Sequence, residues 1–597
     1  MTRRRRKSRA HPAPPVVPPA TTAETTFPTC GFHTQRTIVL ILLGTLLLKS
    51  LIFEPISWWP LAFVCLVPWL VVIALTARAP RVYAHSFLLG GAFFLINMRW
   101  LYAATGAGYV ALSVYLAVCF PLMACPLRHA VRRRRWPLAV VLPFVWTAGE
   151  FLRAVAFSGF PWFFLSHGLH GVLTAIQVSD LVGAYGVSFV VASVNGAVAD
   201  VVIAAIQRRG GDAIGASARG RRIGFGVMLV AVAFTAIYGM VRLGQETITP
   251  GPKIAVVQGD FVMSVHGEEA NDAQKRRVYF EMMDEAAAQQ PDLYLLPETP
   301  WIMYLNPEAR NLSRASVQSF DALRDRAARN RAYVVTGSAS QIDTPHDLLA
   351  AVRRYNSATV FHPDGSEPDR YDKVHLVYFG EVVPFRFGRL RFLYFWLNWL
   401  MPFSGPDHDY EYSLFHGEGF KTFPMRPTSQ PERTYRFGVP ICYEDVMPYV
   451  ARAFACGGGD TKRVDFLLNI SNDGWFGRGH QQPQHLAICV FRAVENRVGI
   501  ARSVNTGISA FIEPDGRVHD MVRGDAATPW PGQCGFSVAR IGVDSRFSFY
   551  SRHGDWFAWG CVLISLLIYV DYWIARARGH RMAHATRDPG LAEDAHT

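Results

Sequence analysis

The 597-residue sequence has few cysteines and no pattern that would bring them together. Its nine cysteines are scattered, without a Cys-x-x-Cys pair and without a Cys/His spacing typical of zinc. We therefore expect mostly free thiols, no disulfide framework and no structural metal. Charged residues are also scarce, at 18%, yet the net charge is +13. Because arginine clusters lie between apolar segments, we interpret this charge as a membrane-topology signal and expect no nucleic-acid partner.

The first 36 residues lack the apolar side chains that a folded core needs. They begin with the basic run RRRRK at residues 3–7 and continue as a stretch rich in Pro, Ala and Thr. We predict that residues 1–36 form a disordered basic tail. No convincing cleavage site follows the first apolar run, so we do not expect a removed signal peptide.

Long apolar runs fill the chain up to about residue 243. Seven follow one another, an eighth lies near the C-terminus, and each is about long enough to cross a bilayer as a helix. We predict a seven-helix transmembrane domain over residues 37–243 and a C-terminal transmembrane helix over residues 554–575, about eight helices in all. The runs are 37–53, 56–76, 83–101, 108–127, 138–158, 181–206, 223–241 and 556–574.

The loops between these runs alternate in charge. Arginines cluster in the N-terminal tail, in every second loop and after the last run, whereas residues 160–180 contain neither Lys nor Arg. Positively charged loops stay on the cytoplasmic side of a membrane. We therefore predict that both termini, including the tail at 576–597, are cytoplasmic. Residues 244–553 would then lie on the periplasmic or outer face of a bacterial inner membrane.

Two ionisable residues, Glu150 and Arg153, lie three positions apart in the fifth apolar run. Ionisable groups at membrane depth are costly and point to a function by default. A mutually satisfied pair near the outer interface is an equally good interpretation, and the sequence leaves both open.

From Lys253 onward the composition becomes that of a globular domain. Apolar strand-like runs such as IAVVQGD (254–260), LYLLPETPW (293–301) and DFLLNISND (465–473) alternate with helix-like stretches such as residues 484–497. Strands that alternate with helices, together with hairpins, predict a layered α/β domain.

The stretch YRFGVPICYEDVM at residues 435–447 suggests a nucleophile. A strand-like run over Tyr435 to Ile441 ends abruptly at Cys442, two acidic residues follow, and a helix begins. A residue at such a junction lies close to helix-start amides, and we expect these to favour the thiolate, the nucleophilic form of cysteine. A buried structural cysteine is the competing interpretation.

Two further residues could complete a catalytic set. Glu298 ends a buried strand, where burial would raise its pKa and suit it to act as a general base. Lys373 lies just past a hairpin, where a fixed cation could stabilise an oxyanion. Taken alone, each could equally be an ordinary loop or surface charge.

The order of these three residues resembles the nitrilase, or carbon–nitrogen hydrolase, superfamily. Glu298 follows LYLLP, Lys373 lies in YDKVHLV and Cys442 lies in GVPICYED. Other sequence motifs resemble those of the apolipoprotein N-acyltransferase family, and this resemblance covers residues from about 37 to 575. These motifs are EFLRAVAFSGFPW (150–162), FGEVVPF (379–385), NISNDGWFG (469–477) and NTGISAFIEPDG (505–516).

The resemblance implies a nitrilase-like αββα sandwich on a helical membrane base and a Glu298–Lys373–Cys442 triad. In the implied reaction, Cys442 takes an acyl chain from the sn-1 ester of a phospholipid as a thioester. The chain then passes to the α-amine of the diacylglyceryl-cysteine at the N-terminus of an apolipoprotein. Ping-pong kinetics are expected, and no metal or other cofactor is implied.

By the same resemblance, Glu381 and Glu444 are carboxylates that tune the lysine and the site, and Tyr443 follows the nucleophile. Two other functions stay open. One is a membrane-anchored amidase or nitrilase-type hydrolase in which water resolves the thioester. The other is a non-catalytic membrane scaffold or transporter whose outer domain only binds.

The sequence departs from the family at three positions. Gly267 stands where a tryptophan is common, and Tyr378 and Val382 replace a proline and an aromatic residue around FGE. These changes leave the triad intact and bear on lipid preference. They also bear on an arm at residues 384–403, PFRFGRLRFLYFWLNWLMPF, which is rich in aromatic residues and arginines. We predict that it dips into the lipid interface, where it could cover the site.

Overall fold

The computed structural model describes residues 34–208, 214–262, 271–344, 352–386, 389–399, 413–456, 461–522 and 533–585. Several predicted features lie wholly or partly outside these residues. Among them are almost all of the tail 1–36, Gly267, parts of the arm (387–388 and 400–403) and most of the tail 576–597.

Apolar helices build the chain before residue 244, as predicted. Six helices in the described residues are long and apolar enough to cross a membrane. The other two predicted crossings correspond to the helix Gln35–Leu51 and to the apolar stretch Trp59–Leu75, both shorter than the six long helices. The count of eight therefore stays a prediction. The six long helices are Ala79–Asn97, Gly106–Arg134, Leu138–Val155, Ala184–Gln207, Ala218–Leu243 and Trp556–Arg578.

The helix Leu138–Val155 lies at the centre of this bundle. It packs against Ala184–Gln207 and against the C-terminal helix, and 72% of its apolar window is buried. By contrast, only 17% of the corresponding window of Ala218–Leu243 is buried, although that helix is apolar all round. A helix that leaves most of its apolar surface uncovered by protein is suited to contact with lipid.

Two six-stranded sheets form the α/β part of the chain. In each sheet, three neighbouring strands are parallel and the outer pairings are antiparallel. In spatial order, the first sheet is Gly535–Asp544, Ile248–Gln258, Leu293–Leu295, Tyr333–Asp343, Val352–Phe361 and Asp369–Asp372. The second is Val518–His519, Ala510–Ile512, Gly499–Val504, Phe466–Ser471, Tyr435–Gly438 and Thr422–Met425.

The two faces of the first sheet explain its nearly continuous apolar strands. Ile254 and Val256 belong to the core between the sheets, whereas Ala255 and Val257 pack against helices on the outer side. Strands covered on both faces need apolar residues at successive positions. The resulting αββα sandwich confirms the predicted fold class. Asp272–Ala286 and Arg314–Asn330 cover the first sheet, and Pro448–Ala455 and Gln481–Asn496 pack on the second.

The helix Gln481–Asn496 joins the sandwich to the membrane helices, and every one of its residues is buried. Glu495 Oε1 accepts the backbone N–H of Ala184 at 2.8 Å. Just past the helix, Arg497 Nη2 lies 2.6 Å from Asp180 Oδ2. These buried polar contacts fix the second sheet, which carries Cys442 at one strand end, against the helical part of the chain.

Candidate functional site

Cys442 lies in a tight turn after the strand Tyr435–Gly438. The strand ends earlier than predicted, although Ile441 still forms a bridge to the neighbouring strand. Cys442 has φ = 52°, in the left-handed region, and begins the short 3₁₀ turn Cys442–Asp445. A non-glycine residue there costs about 1–2 kcal/mol, so its surroundings must hold this conformation. The first turn of such a helix leaves backbone N–H groups without intrahelical acceptors, including that of Tyr443.

The structure brings Glu298, Lys373 and Cys442 together. Lys373 Nζ lies 3.7 Å from Glu298 Oε1, and the Cys442 thiol hydrogen-bonds the Glu298 carboxylate. Lys373 is 1% exposed and Glu298 is 7% exposed. A thiol, a base and a cation therefore meet in an enclosed site, which is the arrangement that covalent acyl chemistry needs. The catalytic roles of the three side chains remain a prediction.

Backbone packing positions Glu298. A Cβ added at Gly337 of the adjacent strand would lie 2.4 Å from Thr299 N and 2.6 Å from Glu298 Cα. Glycine is therefore needed at position 337, because any other residue would push the carboxylate segment away. In the sequence, the glycine within AYVVTGSAS is the only signal of this close approach.

A second carboxylate and one amide complete the cluster. Glu381 Oε1 lies 2.9 Å from Lys373 Nζ, close to the lysine as the resemblance implied. Asn356 Nδ2 donates to Glu298 Oε1 at 2.7 Å and to Glu381 Oε1 at 2.9 Å. Asn356 was not predicted from the sequence, where its only signal was a polar residue at the start of the strand-like run NSATVF.

Burial sets the protonation of the site. It raises the pKa of Glu298 above its ordinary value, while Lys373 opposes the shift. Burial and the neighbouring Glu298 also raise the pKa of the Cys442 thiol well above its ordinary value. The expectation that helix-start amides would favour a thiolate was therefore wrong. Although burial lowers the pKa of Lys373, Glu381 and Glu298 raise it by more. The resting site thus holds a thiol beside a base and a permanent cation.

Glu444 links two segments of the site. One is the turn Cys442–Asp445, here called the nucleophile turn after the predicted nucleophile, and the other is the segment that follows Lys373. Its Oε1 accepts the backbone N–H groups of Val374 at 2.8 Å and His375 at 3.0 Å. Its Oε2 accepts the N–H of Ile441 at 2.9 Å. Burial raises the pKa of Glu444 to about 7. These contacts reach the backbone, so Glu444 links the turn that contains Cys442 to the segment that follows Lys373.

A buried ion cluster lies behind the nucleophile turn. His485 Nε2 is 2.6 Å from Asp445 Oδ1, and its Nδ1 is 3.0 Å from Asp473 Oδ1. Arg502 pairs with both carboxylates. Although burial opposes the charge, Asp445 and Asp473 raise the pKa of His485 to about 9. Two cations and two anions are therefore balanced here, and no trio of His, Cys, Asp or Glu that could hold a metal occurs in the described part of the chain.

Glu150 and Arg153 act on the loop that follows their helix. Glu150 Oε1 accepts the backbone N–H of Leu165 at 2.8 Å, and Arg153 Nη1 donates to the carbonyl oxygen of Trp162 at 2.5 Å. Within the residues that the structure describes, no hydrogen bond or close ion pair joins the two side chains directly. Both side chains therefore bond to this loop; Glu150 Oε1 also accepts the indole N–H of Trp146 at 2.7 Å, and Glu150 Oε2 has no hydrogen-bond partner among the described residues.

This loop contacts the site from the membrane side. The hydroxyl of Tyr443, next to the nucleophile, donates to the carbonyl oxygen of Gly159 at 3.0 Å. Trp162 Nε1 donates to Gln484 Oε1 at 2.9 Å, and its ring centroid lies 5.6 Å from that of His485. The nucleophile turn and its supporting ion cluster are therefore both anchored to the helical part.

A cavity of about 590 Å³ lies between the end of the helix Leu138–Val155 and the segment that follows Lys373. This volume is ordinary for a small-molecule site. Tyr378 and Val382, two of the positions that depart from the family, belong to its wall. Apolar side chains dominate the lining, including Val155, Phe157, Leu376, Val382, Val383 and Met447.

The described part of the predicted arm contains a helix, Arg391–Trp399, with apolar side chains on its surface. Phe392 is 66% exposed, and Phe395 and Trp396 are each 60% exposed. Exposed aromatic side chains beside arginine are typical of helices that lie in a membrane interface.

Comparison with known families defines the class of protein. The carbon-nitrogen hydrolase model matches residues 253–526, which contain Glu298, Lys373 and Cys442. The chain is therefore a member of the carbon–nitrogen hydrolase superfamily. The model of the apolipoprotein N-acyltransferase N-terminal domain matches residues 45–197, within the helical part. With both parts matched, the chain belongs to the apolipoprotein N-acyltransferase family.

Curated relatives are similar in sequence to this chain along most of their length. An apolipoprotein N-acyltransferase of Geobacter metallireducens is 29% identical over 541 residues, covering 88% of this chain and 93% of the relative. The protein of that name from Chlorobaculum tepidum is 25% identical, covering 83% of this chain and 88% of its own. The one from Bradyrhizobium diazoefficiens is 25% identical, covering 91% and 96% respectively. The similarity thus spans the helical part and the sandwich together.

Proposed function

We propose that this protein is a lipoprotein N-acyltransferase that carries the acyl chain on Cys442 as a thioester. The donor is a membrane phospholipid, and the acceptor is the α-amine of the diacylglyceryl-modified N-terminal cysteine of an apolipoprotein. The observation that carries this proposal is the enclosed Cys442–Glu298–Lys373 cluster, anchored to membrane helices. Membership of the apolipoprotein N-acyltransferase family supports it.

In the first half-reaction, Glu298 takes the thiol proton as Cys442 Sγ attacks the sn-1 ester carbonyl. Lys373 and backbone N–H groups of the nucleophile turn stabilise the tetrahedral oxyanion. The carbon–oxygen bond to glycerol then breaks, and Glu298 returns the proton to the departing alkoxide. A lysophospholipid leaves, and the acyl chain stays on Cys442 as the thioester.

In the second half-reaction, the neutral α-amine of the acceptor attacks the thioester carbonyl. Glu298 takes a proton from the attacking nitrogen, and the same cation and amides stabilise the oxyanion. The carbon–sulfur bond breaks, the amide forms, and the proton passes to the Cys442 sulfur. Because one product leaves before the acceptor reacts, the kinetics should be ping-pong.

Both substrates are lipids, so the site must open at a membrane surface. We assign the apolar cavity to the hydrocarbon part of the substrates, because Val155, at the end of a membrane helix, and Phe157, just past that helix, form one of its walls. The exposed aromatic residues of the helix Arg391–Trp399 would lie in the lipid interface nearby. Tyr378 and Val382 would then affect which acyl chains fit.

The protein is a membrane protein of the inner-membrane type, and its orientation belongs to this proposal. The alternation of arginine-rich and arginine-free loops supports cytoplasmic termini and a periplasmic or outer catalytic domain at about 244–553. The transmembrane domain would cover 37–243, with a further crossing at 554–575. This places Cys442 on the side where exported lipoproteins are found.

A label-transfer assay tests the proposal. Purified protein in detergent is mixed with a phospholipid labelled in its sn-1 acyl chain and with a synthetic diacylglyceryl-cysteine peptide. We expect the label in an amide on the peptide, and little free fatty acid when the peptide is left out. Rapid release of labelled fatty acid without peptide would favour the hydrolase, and binding of lipid without any cleavage would favour the non-catalytic scaffold.

A further inference from the structure

The amide of Asn356 occupies a central position that the proposed chemistry does not explain. It donates to Glu298 Oε1 at 2.7 Å and to Glu381 Oε1 at 2.9 Å. Its own backbone carbonyl oxygen accepts the N–H of Lys373 at 2.8 Å. A single strand residue is thus bonded to both carboxylates through its side chain and to the lysine through its main chain.

The orientation of this amide follows from its neighbours. Both carboxylates offer only acceptors when ionised, so the NH₂ group of Asn356 must be the end that faces them. Its Oδ1 is buried and has no hydrogen-bond partner among the described residues. The side chain is therefore held by its contacts with the two carboxylates.

We propose that Asn356 is a positioning residue that bridges the Glu298 and Glu381 carboxylates beside Lys373 and orients Glu298 toward the Cys442 thiol. This role rests on the proposed function. Two carboxylates that share one cation repel each other, and a neutral donor relieves that repulsion without adding charge. A second cation in its place would stabilise the Glu298 carboxylate too strongly for it to accept a proton readily.

The groups that face Glu298 are Lys373, Glu381, Cys442 and Asn356. The Asn356 hydrogen bond stabilises the ionised carboxylate and so lowers the pKa of Glu298, against the effect of burial. Its loss should raise that pKa further. Because the base form is the carboxylate, the acid limb of the rate profile should then move to higher pH.

The test follows thioester formation on Cys442 in single turnover, with labelled phospholipid and over a range of pH. For Asn356→Ala we expect a rate lower by about 10- to 100-fold at neutral pH. We also expect an acid limb displaced upward by about one pH unit. Asn356→Asp keeps the shape of the side chain but adds a third carboxylate. The acid limb of its rate profile should therefore lie at a pH at least as high as that of Asn356→Ala. Asn356→Gln keeps both donors and should recover part of the rate.

A matched control separates positioning from folding. Asn306 is also a largely buried asparagine of the sandwich, and its Nδ2 donates to Glu308 and to the Gln341 carbonyl oxygen at 2.7 Å each. Asn306→Ala should lower thermal stability without moving the acid limb. If wild type forms the thioester and Asn356→Ala keeps its rate and limb, this role is wrong while the proposed function stands. A wild type that forms no thioester would overturn both.

Discussion

Replacing Glu298 by glutamine is expected to slow thioester formation on Cys442 by about 1,000-fold, because general-base catalysis typically contributes ~10²–10⁴-fold. The substitution keeps the shape of the side chain but removes the group that accepts the thiol proton. Since burial, the main cause of the raised pKa of Cys442, persists in the variant, little thiolate would be present without that base. Single-turnover rates with labelled phospholipid measure the loss.

The pH profile gives this prediction a second readout. In wild type, the rate should rise with pH as Glu298 loses its proton, at a pH above the ordinary range for glutamate because burial raises its pKa. In Glu298→Gln this limb should vanish. Glu281→Gln, at a 54% exposed carboxylate paired with Arg277, serves as the control and should keep both rate and limb. A Glu298→Gln variant as fast as wild type would show that another group is the base.

Replacing Arg502 by methionine is expected to cause a large loss in the free energy of unfolding. Arg502, His485, Asp445 and Asp473 are each at most 2% exposed, and the methionine would leave two buried carboxylates facing one imidazolium. Removing one partner of a buried ion pair typically costs about 3–5 kcal/mol, against roughly 5–15 kcal/mol for the stability of a whole domain. Denaturant or thermal unfolding of the purified protein in detergent measures this loss.

Two further variants show whether charge balance is the cause. Adding Asp473→Asn to Arg502→Met leaves Asp445 facing His485, which restores neutrality, so part of the lost stability should return. Arg517→Met removes an arginine whose side chain is 60% exposed and paired with Asp515, and should change stability by less than about 0.5 kcal/mol. Equal losses in Arg502→Met and in the double variant would contradict the electrostatic explanation.

The fold could be predicted well from apolar patterning. Apolar strand-like runs that alternate with helix-like stretches predicted a layered α/β domain, and the family resemblance implied its αββα arrangement. Long apolar runs predicted the membrane helices. The number of crossings was harder to predict. The helix Gln35–Leu51 is as long as its apolar run, at 17 residues, whereas the stretch Trp59–Leu75 is shorter than its run and includes a 3₁₀ turn and two prolines.

The candidate site was predicted less completely, because its properties depend on contacts between distant segments. Cys442, Glu298 and Lys373 could be chosen from local sequence and from family phrases. Asn356 could not, since its amide meets Glu298 and Glu381 only when the strand Val352–Phe361 packs beside the separate segments that carry these carboxylates. The protonation of Cys442 was predicted wrongly for the same reason. Burial and a neighbouring carboxylate outweigh the effect of nearby helix amides, and neither is visible in a linear sequence.

Mass spectrometry of the protein after incubation with phospholipid shows whether Cys442 carries the acyl chain. We expect the Cys442 peptide to gain the mass of one acyl chain, in an adduct that neutral hydroxylamine removes. A diacylglyceryl-cysteine peptide should clear the adduct and become N-acylated, far faster than water clears it. Cys442→Ala should show no adduct, whereas Cys534→Ala, at an exposed cysteine, should keep it. Acyl transfer that proceeds in Cys442→Ala, or that proceeds in wild type without any adduct on Cys442, would show that Cys442 is not the acyl carrier.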